Sequence, residues 1–118
     1  MSELDKMIER VEKATRGHDD DAITERRAIN VWLHDNLMPE PKVVRPLNYC
    51  ASLDAAVALC ERVLPSSSWH IGRVLRGDSW YWAEVTGEGG KSGGTIYKKT
   101  PALALVLATL RALRGATP

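Results

Sequence analysis

Leu4, Met7, Ile8 and Val11 fall at the i, i+3, i+4, i+7 spacing of one helix face, with Glu3, Glu9, Arg10 and Lys13 left toward solvent. The pattern predicts a first helix over Ser2 to Thr15 that stops at Arg16-Gly17. The run His18-Asp19-Asp20-Asp21 comes next, where carboxylates suit the positive end of a helix dipole and can cap its free N–H groups. A second helix follows through Ala22, Ile23, Ile29, Val31, Trp32 and Leu33. From Met38 to Leu47, Pro39, Pro41 and Pro46 remove backbone donors and push their predecessors into extended conformations, which predicts an ordered crossing loop. Ser52 then precedes Leu53, Ala56, Val57, Leu59, Cys60 and Val63, with Asp54 in the first turn and Pro65 closing the pattern, so a third helix is expected there.

Past Ser66-Ser67-Ser68 the period changes. Trp69 and Ile71, then Trp80, Trp82 and Val85, favour two strands around a turn at Arg76-Gly77-Asp78-Ser79. A glycine-rich stretch from Gly87 to Gly94 links them to the β-prone Thr95-Ile96-Tyr97-Lys98. Thr100-Pro101 supplies an N-cap followed by proline at the first helical position, and Leu103, Leu105, Val106, Leu107, Leu110 and Leu113 carry a fourth helix to Gly115. Its apolar residues occupy nearly every side, more than one sheet face can cover. That helix is therefore either central to the domain or part of a subunit interface, and a homo-oligomer, most simply a two-fold dimer, is expected.

These elements make an α+β chain with about four helices and a short three-stranded antiparallel sheet, layered as helices, sheet, helices or with the helices gathered on one face. The 118 residues suit a single domain over 1–118, and 44% apolar with 26% charged residues is the balance of a globular chain. The net charge of +1 offers no global field to draw in nucleic acid or to mimic its phosphates. Cys50 and Cys60 have neither CxxC spacing nor a partner histidine pair, and no signal peptide precedes them, so two buried thiols in a reduced cytoplasmic compartment are expected. The apolar run Ala102 to Leu110 is shorter than the ~20 residues a membrane span needs.

Tyr49-Cys50-Ala51-Ser52-Leu53-Asp54-Ala55-Ala56-Val57-Ala58-Leu59 with Leu64-Pro65 and Trp69, together with Thr100-Pro101-Ala102-Leu103-Ala104-Leu105 through Leu110-Arg111-Ala112-Leu113, resembles the phage ABA-sandwich domain family. The opening Ile8 to Thr15 and Asp20-Asp21-Ala22-Ile23 look like that family's N-terminal helices. The resemblance implies an αβα layered sandwich in a protein encoded by bacteriophages or prophages, acting in the host bacterial cell. It supplies no catalytic residues to carry over.

Candidate chemistry is sparse. Gly87-Glu88-Gly89-Gly90-Lys91-Ser92 invites comparison with a P-loop, but the first required glycine falls at Val85 and Gly93-Gly94-Thr95 leads into a strand instead of a helix. It can still serve as a loop whose N–H groups, Lys91 and Ser92 close over an anion. His18, His34 and His70, with Asp19, Asp20, Asp21 and Asp35 near the first two, lack the spacing of a metal site. There is no GxSxG elbow for a nucleophile, and Glu84 with Asp78 has no acid/base geometry to recommend it. Neither enzyme activity nor a cofactor is expected.

Trp80 and Trp82 stand two apart on a strand and share a face, with Tyr81 on the other. Tryptophan stacks on a nucleobase, and Arg73, Lys98 and Lys99 can meet phosphate. With the phage origin and the role against host antiviral defence taken from what the resemblance implies, the expectation is a binding protein that sequesters a small anionic, nucleotide-like signal through Trp80, Trp82, Arg73, Lys91, Ser92, Lys98 and Lys99. The alternatives are an inhibitor that docks on a host defence protein, through its helices or the Pro39 to Pro46 loop, and a virion or accessory structural protein.

Overall fold

A computed structural model describes residues 2–13, 20–37, 48–74, 80–86, 92–98 and 100–116, with backbone alone at 74, 92–98 and 116. Four helices and an antiparallel sheet follow in the order α1 (Glu3–Lys13), α2 (Asp20–Leu37), α3 (Leu53–Val63), β1 (Ser68–Val74), β2 (Trp80–Thr86), β3 (Ser92–Lys98) and α4 (Pro101–Ala116). The predicted crossing loop, the His18-Asp19 start of the second helix, the turn at 76–79 and the glycine run 87–91 lie outside the described residues.

Side-chain caps set the helix starts. Ser52 Oγ accepts from the Ala55 N–H at 3.3 Å and opens α3, while Thr100 Oγ1 accepts from the Leu103 N–H at 3.1 Å and opens α4. At α1 the exchange is reciprocal: Ser2 Oγ accepts from the Asp5 N–H at 3.1 Å, and the Asp5 carboxylate accepts from the Ser2 hydroxyl at 2.9 Å. Those Ser2 contacts, supported by Arg114, hold the Asp5 carboxyl below its ordinary range.

The strand order is β1-β2-β3, with both pairings antiparallel. β1 and β2 run in unbroken register from Ser68 opposite Thr86 to Val74 opposite Trp80. The β2–β3 pairing shifts between Glu84 and Thr86, an irregularity beside Ser92-Gly93-Gly94. Glycine has poor strand propensity, so sequence reads these residues as linker, whereas Ser92 pairs with Thr86 and the two glycines fall at the irregularity.

α4 is the centre of the molecule. Every residue from Ala102 to Leu110 is buried. One side of the helix lies on β3 and β2, and others meet α3 and α1. Met7, Ile8 and Val11 of α1, Ala55, Ala56, Leu59 and Cys60 of α3, and Ala83 and Val85 of β2 close around it. Burying a helix on all sides requires apolar residues on all sides, which accounts for its composition within one chain. The α4 surface that suggested a second copy is thus consumed internally, and that argument for a homo-oligomer fails. Among the described residues the layers run sheet, α4, then α1 and α3, so the sheet forms an outer layer and does not lie between helices.

Candidate functional site: the open face of the sheet

Alternation along β2 separates its residues by face. Ala83 and Val85 are buried against α4, with Tyr81 beside them, whereas Trp80, Trp82, Glu84 and Thr86 point the other way. Directly opposed residues of an antiparallel pair share a face, so His70 and Gly72 of β1 join Glu84 and Trp82 on the open side. No described helix covers this side.

Gly72 gives the open face its shape. A Cβ at this position would collide with three atoms of the Trp82 indole, Nε1, Cε2 and Cζ2, the arrangement of a ring laid across the strand. The missing side chain lets the ring rest on the backbone, an aromatic partner compensating a strand glycine. Trp82 is half-buried by this contact. Next to it, about 7 Å along the strand, Trp80 is 40% exposed. The result is an aromatic platform fixed from below, edged by the cross-strand pair His70 and Glu84.

The predicted cations do not assemble around it. Arg73 is exposed but stands opposite Tyr81, on the helix side of the sheet. A turn confined to Arg76–Ser79 would place Arg73 across from Trp82, whereas the observed pairing of Val74 with Trp80 shifts the register by one and reverses its face. Lys98 is the register partner of Tyr81, in the same row as Arg73. Ser92 opens β3 opposite Thr86, and Lys91, Lys99 and Asp78 lie outside the described residues. Structure therefore brings Trp80 and Trp82 together and separates Arg73 from them.

A second polar cluster, unread in the sequence, joins α2 to the turn before α3. Asn30 donates to Asn48 Oδ1 at 3.1 Å and accepts from the Cys50 N–H at 3.1 Å, while His34 Nδ1 lies 3.3 Å from the Tyr49 hydroxyl. Tyr49 is fully buried, and burial raises its pKa above the ordinary phenol value. His34 thus turns inward to Tyr49, and Cys50 and Cys60 are buried thiols not joined in a disulfide. An asparagine and a histidine at α2 positions 30 and 34 share one helix face, the spacing that could have signalled this anchor. The cluster clamps a turn.

On the outer side of α2, Thr24, Ala28, Val31 and Trp32 line a shallow depression of about 540 Å³ with Arg10, Arg27, Asp35 and Asn36. Val31 is 46% exposed there. Within the described residues no helix is long and apolar enough to cross a membrane. No family model, curated protein or solved structure matches the chain.

Proposed function

We propose that the chain is a non-enzymatic binding module whose ligand surface is the open sheet face, with Trp80 and Trp82 stacking on the planar ring of a small anionic, nucleotide-like molecule. The observation that carries this reading is the Trp82 ring resting on Gly72 beside an exposed Trp80. A ring already immobilised loses little entropy on binding, so stacking on it retains most of the roughly 1–3 kcal/mol that a base–aromatic contact supplies. In this reading the platform holds the ligand by stacking and releases it unchanged. Lys91, Ser92 and Lys99 belong to the proposal as the source of phosphate contacts, while Arg73 and Lys98, both opposite Tyr81, are withdrawn from it by their row. Through the resemblance to the phage ABA-sandwich family, the role extends to sequestering a defence signal in the cytoplasm of a host bacterium.

Calorimetry against a panel of cyclic and linear nucleotides tests this directly. A micromolar or tighter ligand, recovered intact by mass spectrometry and weakened about tenfold or more by Trp80→Ala, supports the module; each tenfold is about 1.4 kcal/mol. Ligand breakdown, or binding indifferent to both tryptophans, refutes it.

A second reading is docking on a host protein. It is favoured by the depression on α2, where exposed Val31 and half-buried Trp32 sit among Arg27, Asp35 and Asn36 in the mixed apolar and charged pattern of an interface. Val31→Glu separates the two readings, since it leaves nucleotide stacking unchanged and abolishes protein docking.

A further inference from the structure

The outer edge of β1 pairs with no other described strand. β1 is an edge strand of seven residues in the order β1-β2-β3. Proteins usually guard such an edge with lysine, proline, a bulge or a very short strand. Ser68-Trp69-His70-Ile71-Gly72-Arg73-Val74 contains no lysine or proline, and its pairing to β2 is unbroken. β3 differs, with Lys98, two glycines and the register shift.

The helix layer leaves this edge accessible. α4 lies across β3 and β2 and only grazes β1. Trp69 therefore occupies a helix-side position, opposite Val85, yet is 37% exposed. Arg73, on the same side two positions beyond Ile71, is exposed as well. One large aromatic and one guanidinium thus flank Ile71 symmetrically.

We propose that β1 is the seat of a two-fold dimer, in which a second copy adds its own β1 antiparallel, centred on Ile71, to continue the sheet. In that register Ile71 meets Ile71 of the second copy, and Trp69 stands directly across from Arg73 of the second copy on the helix side, once on each side of the axis. Directly opposed side chains are about 5 Å apart, within reach of a cation–π contact between guanidinium and indole. On the open side His70 falls across from Gly72, beside the Trp82 indole that lies over it. The strand is therefore self-complementary about Ile71, as an isologous interface demands, and the backbone edge supplies the hydrogen bonds. The tryptophan platform remains uncovered, so this dimer and ligand stacking stand or fall separately.

Sedimentation velocity over a wide concentration range, together with hydrogen exchange at low and high concentration, tests the proposal. The expected result is a monomer–dimer equilibrium, slowed exchange in 68–74 at high concentration, and dissociation weakened about tenfold or more by Arg73→Glu, an exposed substitution that leaves the monomer's far-UV spectrum unchanged. Trp69→Phe keeps part of the contact and falls between the two. A monomer at about 500 µM overturns the proposal, as does a dimer that Arg73→Glu leaves intact or one whose formation leaves exchange in β1 unaltered.

Discussion

Gly72→Ala offers the sharpest perturbation of the open face. In a strand interior, replacing glycine by alanine ordinarily stabilises by roughly 0.5–1 kcal/mol, because glycine loses more chain entropy on folding. Here the new methyl occupies the space of the Trp82 indole. The ring can swing outward, since its other side meets no described element, so the cost is its displaced contact and rotamer and not a crushed core. That puts the penalty at the low end of overpacking, about 1–2 kcal/mol, and makes the net change a destabilisation of about 0.5–1 kcal/mol. In a Trp82→Ala background the obstacle is absent and the ordinary gain returns. The double-mutant cycle thus carries a coupling of about 1–2 kcal/mol, well beyond the ~0.5 kcal/mol scatter of independent sites. Urea unfolding followed by far-UV circular dichroism reads all four corners without relying on tryptophan emission. If Gly72→Ala has the same effect with and without Trp82, the ring does not rest on Gly72 and the platform argument collapses.

Three further outcomes are expected. Arg10 meets Glu25 through two hydrogen bonds, at 2.8 and 3.2 Å, and lowers its carboxyl pKa; with both side chains 41% exposed the pair contributes about 0.5 kcal/mol. Because the folded pKa lies below the unfolded one, that contribution is present above the ordinary glutamate range and lost as pH falls through it, so Glu25→Gln should remove part of the acid-side slope below about pH 4.5 in thermal melts. Thr100→Ala should cost about 1–2 kcal/mol, more than Ser52→Ala, because Thr100 caps the central helix and its hydroxyl also reaches the Cys50 carbonyl at 3.5 Å; equal losses by denaturant titration would contradict the central place of α4. Asn30→Ala removes the side chain that accepts from the buried Cys50 N–H and donates to Asn48, and should cost about 2 kcal/mol, with accelerated amide exchange at Cys50; unchanged exchange there would refute the clamp.

What the sequence discloses follows from the range of the interaction concerned. α3 and α4 are legible because their caps, Ser52 and Thr100, act within three residues, and the face-sharing of Trp80 and Trp82 is legible because alternation is a local property of any strand. The face of Arg73 is not, since it depends on one residue of turn length between β1 and β2, and a slip of one reverses every side chain. The all-round apolarity of α4 is plain in the sequence, but whether a neighbouring element or a second copy covers it is decided by long-range packing. Gly72 carries no visible signal until its partner across the ladder is known. Asn30 and His34 read as ordinary polar helix residues, and only the return of Asn48, Tyr49 and Cys50 to α2 gives them a buried task.

The account stands on the open face as the ligand surface, and the four tryptophans of the chain report on it separately. In a nitrogen–proton correlation spectrum each indole N–H gives its own signal, and the nucleotide that binds best in calorimetry can be titrated against all of them. The account predicts saturable shifts at Trp80 and Trp82 with little change at Trp32 and Trp69. Shifts centred on Trp32, or a bound ligand that moves neither Trp80 nor Trp82, would contradict it.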